Sequence, residues 1–332
     1  MAARMLWKIA FLLLLALSLS CVVDAGSATW ETARPKGGKW VGQDHIEEDM
    51  RWPERTVRYA YSDPSSRDDL NTWVRIGLDL WYANGLPESF KMVEVDRREC
   101  RRDGNNCLTI TRSFKELSTP IGKQIPQSFH TLMAQWTTDS SIGMLEPGAN
   151  IAHEIGHVFG LYHESHNPSF WKTGGNPWDN FELYCENFEG FEGLSDRFSF
   201  GMIWGARGLC KDGCVARRFK FRAAEVLPCK DDNALTPISG ITTDADVDWS
   251  SIMMTPSYIG TGRDPREDDD RPTLRRALGK RYIRPNYAPT PSDVEGLKTL
   301  YEAPYMAPRP RLHNDPRSPA YGLFQRSAPG CS

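Results

Sequence analysis

The chain has 332 residues, of which 40% are hydrophobic, and a formal net charge of -3. This length allows one large domain or two smaller ones, each with a sizeable core. The mild overall acidity argues against a role in binding nucleic acid.

The N-terminus carries a targeting pattern. Arg4 and Lys8 precede the apolar run IAFLLLLALSLSCVV, which ends in small residues near Ala25. This pattern is typical of a secretory signal peptide, whereas the alternative, a membrane anchor, would need a longer run. We therefore expect residues 1–25 to be a signal peptide and the protein to be secreted. No other stretch is apolar enough to span a membrane, so no membrane partner is expected after cleavage. Cleavage removes Arg4, Lys8 and Asp24 and so changes the formal net charge from -3 to -4.

The cysteine count fits an oxidising compartment. Eight cysteines are present, one of them in the signal sequence, and the remaining seven cannot all pair within one chain. Cys100 and Cys107 flank a polar turn and are expected to form a local disulfide. For Cys210 and Cys214 a cysteine zinc site is the alternative, but no second pair has matching spacing, so disulfides are favoured. Cys331, near the chain end, is our candidate for the unpaired cysteine.

The first half of the chain predicts a sheet with a helix packed on it. Residues 26–51 are polar and lack periodicity, which indicates a propeptide or extended arm. Strands are predicted at 56–61, 90–95, 107–112 and 131–136, and a helix near 68–85. Asp68 or Ser66 is the expected N-cap of that helix, and Asn84 with Gly85 its end. Its predicted buried face comprises Leu70, Trp73, Val74, Gly77, Leu80 and Trp81.

A second helix is predicted from Asn150, where Ile151, Ile155 and Val158 form an apolar stripe, and Gly160 should end it. Beyond residue 165 the sequence predicts irregular structure until a final helix in PSDVEGLKTLY, capped by Ser292. Residues 302–332 should form a Pro-rich tail. The predicted fold class is α+β: an N-terminal mixed twisted sheet with a central helix, then an irregular part ending in a helix.

The second helix carries the stretch HEIGHVFGLYHE, residues 153–164. His153 and His157, four positions apart, project from one helix face and can reach one metal ion. Gly160 allows a sharp turn, because glycine tolerates positive φ, and His163 can then return to the same ion. Three histidines leave the fourth position of a tetrahedral zinc open for water, as in catalytic sites. Glu154 stands beside that position as the expected general base for attack on a carbonyl.

The pattern H-E-x-x-H-x-x-G-x-x-H matches that of metzincin proteases. Glu164, directly after the third histidine, makes the chain resemble the astacin family of secreted zinc endopeptidases, most closely its fungal members. SSIMMTP resembles the family's methionine turn, with Met253 in the position beneath the zinc ligands. The resemblance also extends to MRWPERTVRYAY and PSDVEGLKTLY and covers residues 52–301. It implies a zincin-like catalytic domain, a Zn²⁺ cofactor and a protein or peptide substrate.

The chain also departs from the family pattern. SHNPSFW follows Glu164, and Thr255 stands where the family commonly has a tyrosine that acts as a fifth ligand. Tyr258 could substitute for that tyrosine or simply pack in a loop. Gly42 and Asp44 resemble a stretched form of the family's propeptide zinc ligand, although an exposed acid in a polar arm is the ordinary alternative.

Three functions remain open at this stage. The first is an endopeptidase whose extended substrate pairs with a sheet edge, for which residues 131–136 are the candidate. The second is a catalytically silent binding protein on the same fold. The third is a structural zinc site, which would need a fourth protein ligand such as His166. The long excursion from His163 to Met253, with four cysteines, is expected to be an insertion held by disulfides.

Overall fold

The computed structural model describes residues 51–114, 117–123, 132–167, 170–171, 179–229, 243–261 and 271–302. The predicted signal peptide, all of the arm except Arg51, and the tail beyond Glu302 lie outside these residues, as do Asp44 and Cys331. No helix within the described ranges combines the length and apolarity needed to cross a membrane.

Four strands form the N-terminal sheet in the order β2-β1-β3-β4, and all neighbours are parallel. They are β1 (Thr56–Tyr61), β2 (Lys91–Glu94), β3 (Cys107–Arg112) and β4 (Leu132–Trp136). The antiparallel contribution to this sheet is a bridge between Ser118 and Gln135. Strand β4 is terminal in this order, which confirms residues 131–136 as an edge of the described sheet, and Ser118 pairs with Gln135 on part of its outer side.

The same half contains three helices: α1 (Pro64–Ala83), α2 (Arg97–Asp103) and α3 (Pro147–Phe159). Helix α1 lies between β1 and β2, α2 lies between β2 and β3, and α3 comes after β4. Asp63 caps α1 by accepting from the Ser66 backbone N–H at 2.8 Å, so the predicted caps Asp68 and Ser66 were wrong. The helix ends within two residues of the predicted point.

Helices α1 and α3 cross closely because Gly77 lies at their contact. A Cβ at Gly77 would meet the Ala152 nitrogen at 2.9 Å. The indole of Trp81 donates to the Ala152 carbonyl at 2.8 Å, and that of Trp52 donates to the Val158 carbonyl at 2.7 Å. Two fully buried tryptophans thereby fix α3 against the rest of the core, and the predicted apolar stripe of α3 is buried.

The second half of the chain consists of short elements around a separate apolar cluster. They are β5 (Phe181–Leu183), α4 (Phe191–Ser195), α5 (Phe200–Trp204), α6 (Gly213–Arg218), a 3-10 helix (Arg222–Glu225) and β6 (Leu274–Arg276), which pairs antiparallel with β5. Disulfides join Cys185 to Cys210 and Cys214 to Cys229, which confirms the expected stapled insertion. The predicted local bridge from Cys100 to Cys107 is also confirmed.

The last described element is α7 (Pro291–Glu302). Its N-terminus is capped by Thr290 and not by Ser292: the Thr290 N–H donates to Asp293 Oδ2 at 2.8 Å, and the Asp293 N–H donates to Thr290 Oγ1 at 3.2 Å. A parallel sheet, packed helices and an irregular second half ending in a helix confirm the predicted α+β class.

Candidate metal centre

Helix α3 and the turn after it position the three predicted histidines. The helix begins at Pro147, three residues before the predicted start, with Glu146 as N-cap. Gly160 ends it in the left-handed conformation at a φ of 114°, and the Leu161 N–H donates to the Gly156 carbonyl at 2.9 Å. A Cβ at Gly160 would also approach Leu300 Cδ2 to 2.9 Å. Glycine therefore allows both the turn and the close packing beneath it.

The turn brings the imidazole of His163 back to those of His153 and His157. His163 Nε2 lies 3.1 Å from His153 Nε2 and 3.1 Å from His157 Nε2. Nitrogens bound to a tetrahedral zinc at about 2.0 to 2.1 Å lie roughly 3.3 Å apart. The spacing of the three nitrogens therefore fits one zinc ion between them.

Backbone carbonyls set the tautomer of each ring. The Nδ1 atoms of His153, His157 and His163 lie 2.7, 2.7 and 2.8 Å from the carbonyl oxygens of Ile252, Leu161 and Glu225, respectively. A carbonyl can only accept, so each Nδ1 carries the hydrogen and each Nε2 presents a lone pair. Three lone pairs facing one another repel unless a cation lies between them, and this arrangement of outer partners is usual for metal-binding histidines.

Burial keeps the three rings neutral. It lowers the pKa of His153 to about 3 and that of His163 to about 4, and it lowers the pKa of His157 well below its usual range. Neighbouring histidines lower the pKa of His153 and His157 further, because two adjacent imidazolium ions would repel. Neutral imidazole is the form that binds metal.

The carboxyl group of Glu154 lies in the same buried region. Its Oε2 atom has no hydrogen-bond partner within the described part of the chain. Burial raises the pKa of Glu154 to about 8, a hydrogen bond from Thr119 lowers it, and Glu225 raises it. The Thr119 hydroxyl also accepts from the Trp136 indole at 2.7 Å. Thr119 thus fixes the Glu154 carboxyl while one buried oxygen stays available.

Met253 packs directly against helix α3. A Cβ at Gly156 would come within 2.5 Å of Met253 Sδ, so only glycine leaves room for the thioether. The turn that carries Met253 is held from α7: Asp293 accepts from the Ser251 hydroxyl at 2.5 Å and from the Ile252 N–H at 3.0 Å. Since the Ile252 carbonyl accepts from His153, Asp293 helps to position the first histidine.

Glu164 is buried and ties the third histidine to the same turn. Its backbone N–H donates to the Met253 carbonyl at 2.9 Å, and its Oε1 accepts from the Asp248 N–H at 3.3 Å. Burial raises the pKa of Glu164 to about 8, and the carboxylates of Asp293 and Asp248 raise it further. Glu164 therefore contacts the turn and not the space between the histidines.

Tyr258 is placed differently from the other predicted site residues. Its hydroxyl donates to the Gly143 carbonyl at 3.0 Å, and burial raises its pKa. Thr255, at the position of the family tyrosine, lies with its hydroxyl 3.0 Å from that of Ser165. Neither side chain forms a hydrogen bond to the three histidines.

His166 does not serve as a fourth ligand. Its Nε2 lies 3.1 Å from the Ala224 carbonyl, and its ring centroid lies 4.9 Å from that of His163. The 3-10 helix Arg222–Glu225 thus receives hydrogen bonds from both His163 and His166. In the described ranges the histidine cluster comprises His153, His157 and His163 alone.

The cysteine alternative is contradicted by the disulfides. Cys210 and Cys214 belong to two different bridges, so they cannot both bind a metal as thiolates. A second group, Asp212 with Cys214 and Cys229, has the proximity of a metal site, but its two cysteines are bonded to each other.

The sequence did not indicate Thr119 or the outer partners Ile252, Leu161 and Glu225. Backbone carbonyls carry no residue signature, and Thr119 lies more than 30 residues from Glu154 in a segment with no periodic pattern. The one signal that pointed to this turn was the stretch SSIMMTP, whose resemblance to the methionine turn of the astacin family predicted the place of Met253.

Comparison with known proteins gives limited similarity. No family model and no curated protein matches the chain. Among solved structures, high choriolytic enzyme 1, a hatching enzyme zinc-protease from the medaka fish Oryzias latipes, matches with 13% identity and a TM-score of 0.43, over 76% of this chain and 94% of that chain. Myroilysin matches with 15% identity and a TM-score of 0.39, over 78% and 88%, respectively. Similarity at this level does not assign a function.

Proposed function

We propose that the chain is a secreted, zinc-dependent endopeptidase of the astacin-like metzincin type, with a zinc motif that resembles that of the fungal members. The observation that carries the proposal is the convergence of three neutral imidazole nitrogens, with His163 Nε2 3.1 Å from each of the other two, together with a buried carboxyl oxygen of Glu154 that has no partner in the described part of the chain. A structural zinc site would need a fourth protein ligand, and a general base would have no use there.

His153, His157 and His163 would hold the zinc. When bound, zinc supplies Lewis-acid chemistry: it lowers the pKa of water and polarises a peptide carbonyl. The cation would also favour the ionised form of Glu154 and so counteract the effect of burial on its pKa. Gly160, Glu164 and Met253 would support the centre structurally through the turn and the contacts described above.

Glu154 would act as general base and then as general acid. Its unpartnered Oε2 would take a proton from the attacking water and pass it to the leaving amine, while Thr119 keeps the carboxyl in place. An extended protein or peptide substrate would lie along the sheet edge, next to the segment at Ser118 and Thr119, and not along the whole of β4.

The test is hydrolysis of a mixed peptide library by the purified protein, its Glu154→Gln variant, and the wild type treated with a zinc chelator. We expect wild-type cleavage, a loss of at least ~10²-fold in the variant and in the chelated protein, and recovery of the chelated protein on zinc addition. A wild type that binds zinc but cleaves nothing, even after trimming of its N-terminal segment, would favour the silent binding protein. The hydrogen bond of Tyr258 to Gly143, away from the histidines, is the observation consistent with that alternative.

Tyr258 and Asp44 are proposed in secondary roles. If Tyr258 swings from Gly143 to stabilise the developing oxyanion, Tyr258→Phe should lower kcat with little change in KM. Unchanged kcat would exclude this role. If Asp44 is a zymogen ligand, Asp44→Ala should raise the activity of the unprocessed protein, and equal activity would exclude that role.

A further inference from the structure

A surface on the disulfide-held insertion combines exposed apolar side chains with basic ones. Phe200, Met202 and Phe219 have exposed fractions of 80%, 45% and 40%. Arg217, Arg218 and Lys220 are exposed on the segment that carries Phe219. We call these six residues the basic aromatic face.

The two segments that form this face are in contact. The rings of Phe198 and Phe219 pack edge to face with centroids 5.0 Å apart, which joins the start of α5 to the end of α6. Beneath them, Phe191 contacts both Trp204 and Phe221, with centroids 6.0 and 6.4 Å away. The disulfides Cys185–Cys210 and Cys214–Cys229 fix the same segments covalently. The exposed rings are thus presented on a rigid support.

The charge of this region is opposite to that of the whole chain. Residues 197–222 contain seven Lys and Arg and one Asp, in a protein with a formal charge of -3. The single acid, Asp212, is buried and paired with Arg207 at 2.8 Å. Among the described residues, Arg217, Arg218, Lys220 and Arg222 form no ion pair with a carboxylate. Within the described ranges these charges are exposed, and the exposed acids nearest in sequence are Glu192, Asp196 and Glu225.

Lys220 adds a second unusual feature. Its backbone φ is 55°, in the left-handed region that glycine adopts without strain. A lysine at this position costs conformational energy and places a cation directly beside Phe219.

We propose that the basic aromatic face binds the surface of a membrane that contains anionic lipid. The side chains of phenylalanine and methionine carry no hydrogen-bond donor, so they suit insertion between acyl chains better than pairing with a polar peptide. Basic residues around such side chains attract anionic headgroups, and the combination of the two is typical of interfacial binding. This contact is peripheral and needs no spanning helix, but it departs from the expectation that the protein has no membrane partner.

The surface also adjoins the metal centre. The 3-10 helix Arg222–Glu225 follows Lys220 after one residue, and its carbonyls contact His163 and His166. A membrane bound at the face would therefore lie beside the site. The inference does not depend on peptidase activity, because binding can be measured without a substrate.

The test is co-sedimentation of the mature, full-length protein with phosphatidylcholine vesicles, with and without phosphatidylglycerol. We expect sedimentation only with phosphatidylglycerol, and weaker binding at high salt. Arg218→Glu with Lys220→Glu should weaken binding by ~10-fold or more, and Phe200→Ser with Phe219→Ser should also weaken it severalfold, whereas Phe200→Leu should retain it.

Two control variants match these changes on another part of the surface. Phe114, 69% exposed and stacked with Arg112 at 4.2 Å, is an exposed phenylalanine beside an arginine. Arg101 and Arg102 are exposed basic neighbours on α2. Phe114→Ser and Arg101→Glu with Arg102→Glu should leave vesicle binding unchanged, and thermal unfolding of every variant checks that it folds.

Three results would overturn the proposal. The first is equal sedimentation of the wild type with and without phosphatidylglycerol, and the second is an equal loss of binding in the control variants. The third is binding that the charge reversals abolish but the phenylalanine changes leave intact, which would show that the surface attracts polyanions in general and that its apolar side chains do not enter the membrane.

Discussion

The two halves of the molecule position the histidine cluster by different means. The N-terminal half uses regular elements: α3 presents His153 and His157 one turn apart, and α1 and the sheet hold α3 through buried apolar contacts. The second half has few regular elements, yet it supplies the carbonyls of Ile252 and Glu225 that orient two of the histidines. Helix α3 therefore brings His153 and His157 together, whereas the irregular half orients the rings of His153 and His163 so that their Nε2 atoms face the centre of the cluster.

The largest effect should come from the helix itself. His157→Ala removes a ligand and leaves two nitrogens, which cannot hold zinc against competition. We expect no bound zinc by elemental analysis and no peptide cleavage, with the far-UV circular dichroism unchanged. As a control, Arg101→Ala, on the exposed face of α2, should keep one zinc per chain. Full zinc retention in His157→Ala would contradict the assignment.

A smaller loss of zinc affinity should follow when a disulfide is removed from the second half, but not when one is removed from the first half. Replacing Cys214 and Cys229 by serine opens a bridge with a sequence separation of 15 and should cost about 3 kcal/mol of unfolding free energy. Because this bridge encloses the segment with Glu225, zinc affinity should fall as well.

The matched change replaces Cys100 and Cys107, whose separation is 7, and should cost about 2 kcal/mol while zinc affinity stays the same. Thermal unfolding and competition with a chromophoric chelator measure the two quantities. An equal fall in zinc affinity for both pairs would remove the distinction between the halves.

The smallest effect concerns His166 as a positioning residue for His163. Its hydrogen bond to the Ala224 carbonyl is lost in His166→Ala, so the neighbouring Glu225 carbonyl should be held less firmly. Loss of such outer partners typically weakens metal affinity ~10-fold or more. We expect one zinc per chain, a lower affinity in the chelator competition, and recovery in His166→Gln, which can still donate. A loss of stoichiometry would instead make His166 a ligand.

The four strands and the helices α1 and α3 of the first half were predictable because their side chains alternate or repeat along the sequence. The short helix α2 was missed, because its mainly charged sequence RRECRRD has no apolar period. The meeting of His153 and His157 was predictable for the same reason, because a fixed spacing on a helix determines which side chains lie together. The N-caps of α1 and α7 were predicted wrongly. Asp63 and Thr290 lie further before the first periodic apolar residue than the predicted caps, so the apolar pattern did not indicate them.

The outer partners of the site could not be predicted. Glu225 contacts His163 across 62 positions through a backbone carbonyl, and any residue type offers that group. The pairing of Ser118 with β4 likewise depends on backbone atoms alone. Contacts of this kind follow from the fold and leave no trace in composition or periodicity.

The most direct test of the three-histidine centre is zinc K-edge X-ray absorption on the purified protein. The structure predicts one zinc with three imidazole nitrogens at about 2.0 to 2.1 Å and one further light atom, without sulfur. A sulfur shell, four imidazoles, or the absence of zinc after reconstitution would contradict it.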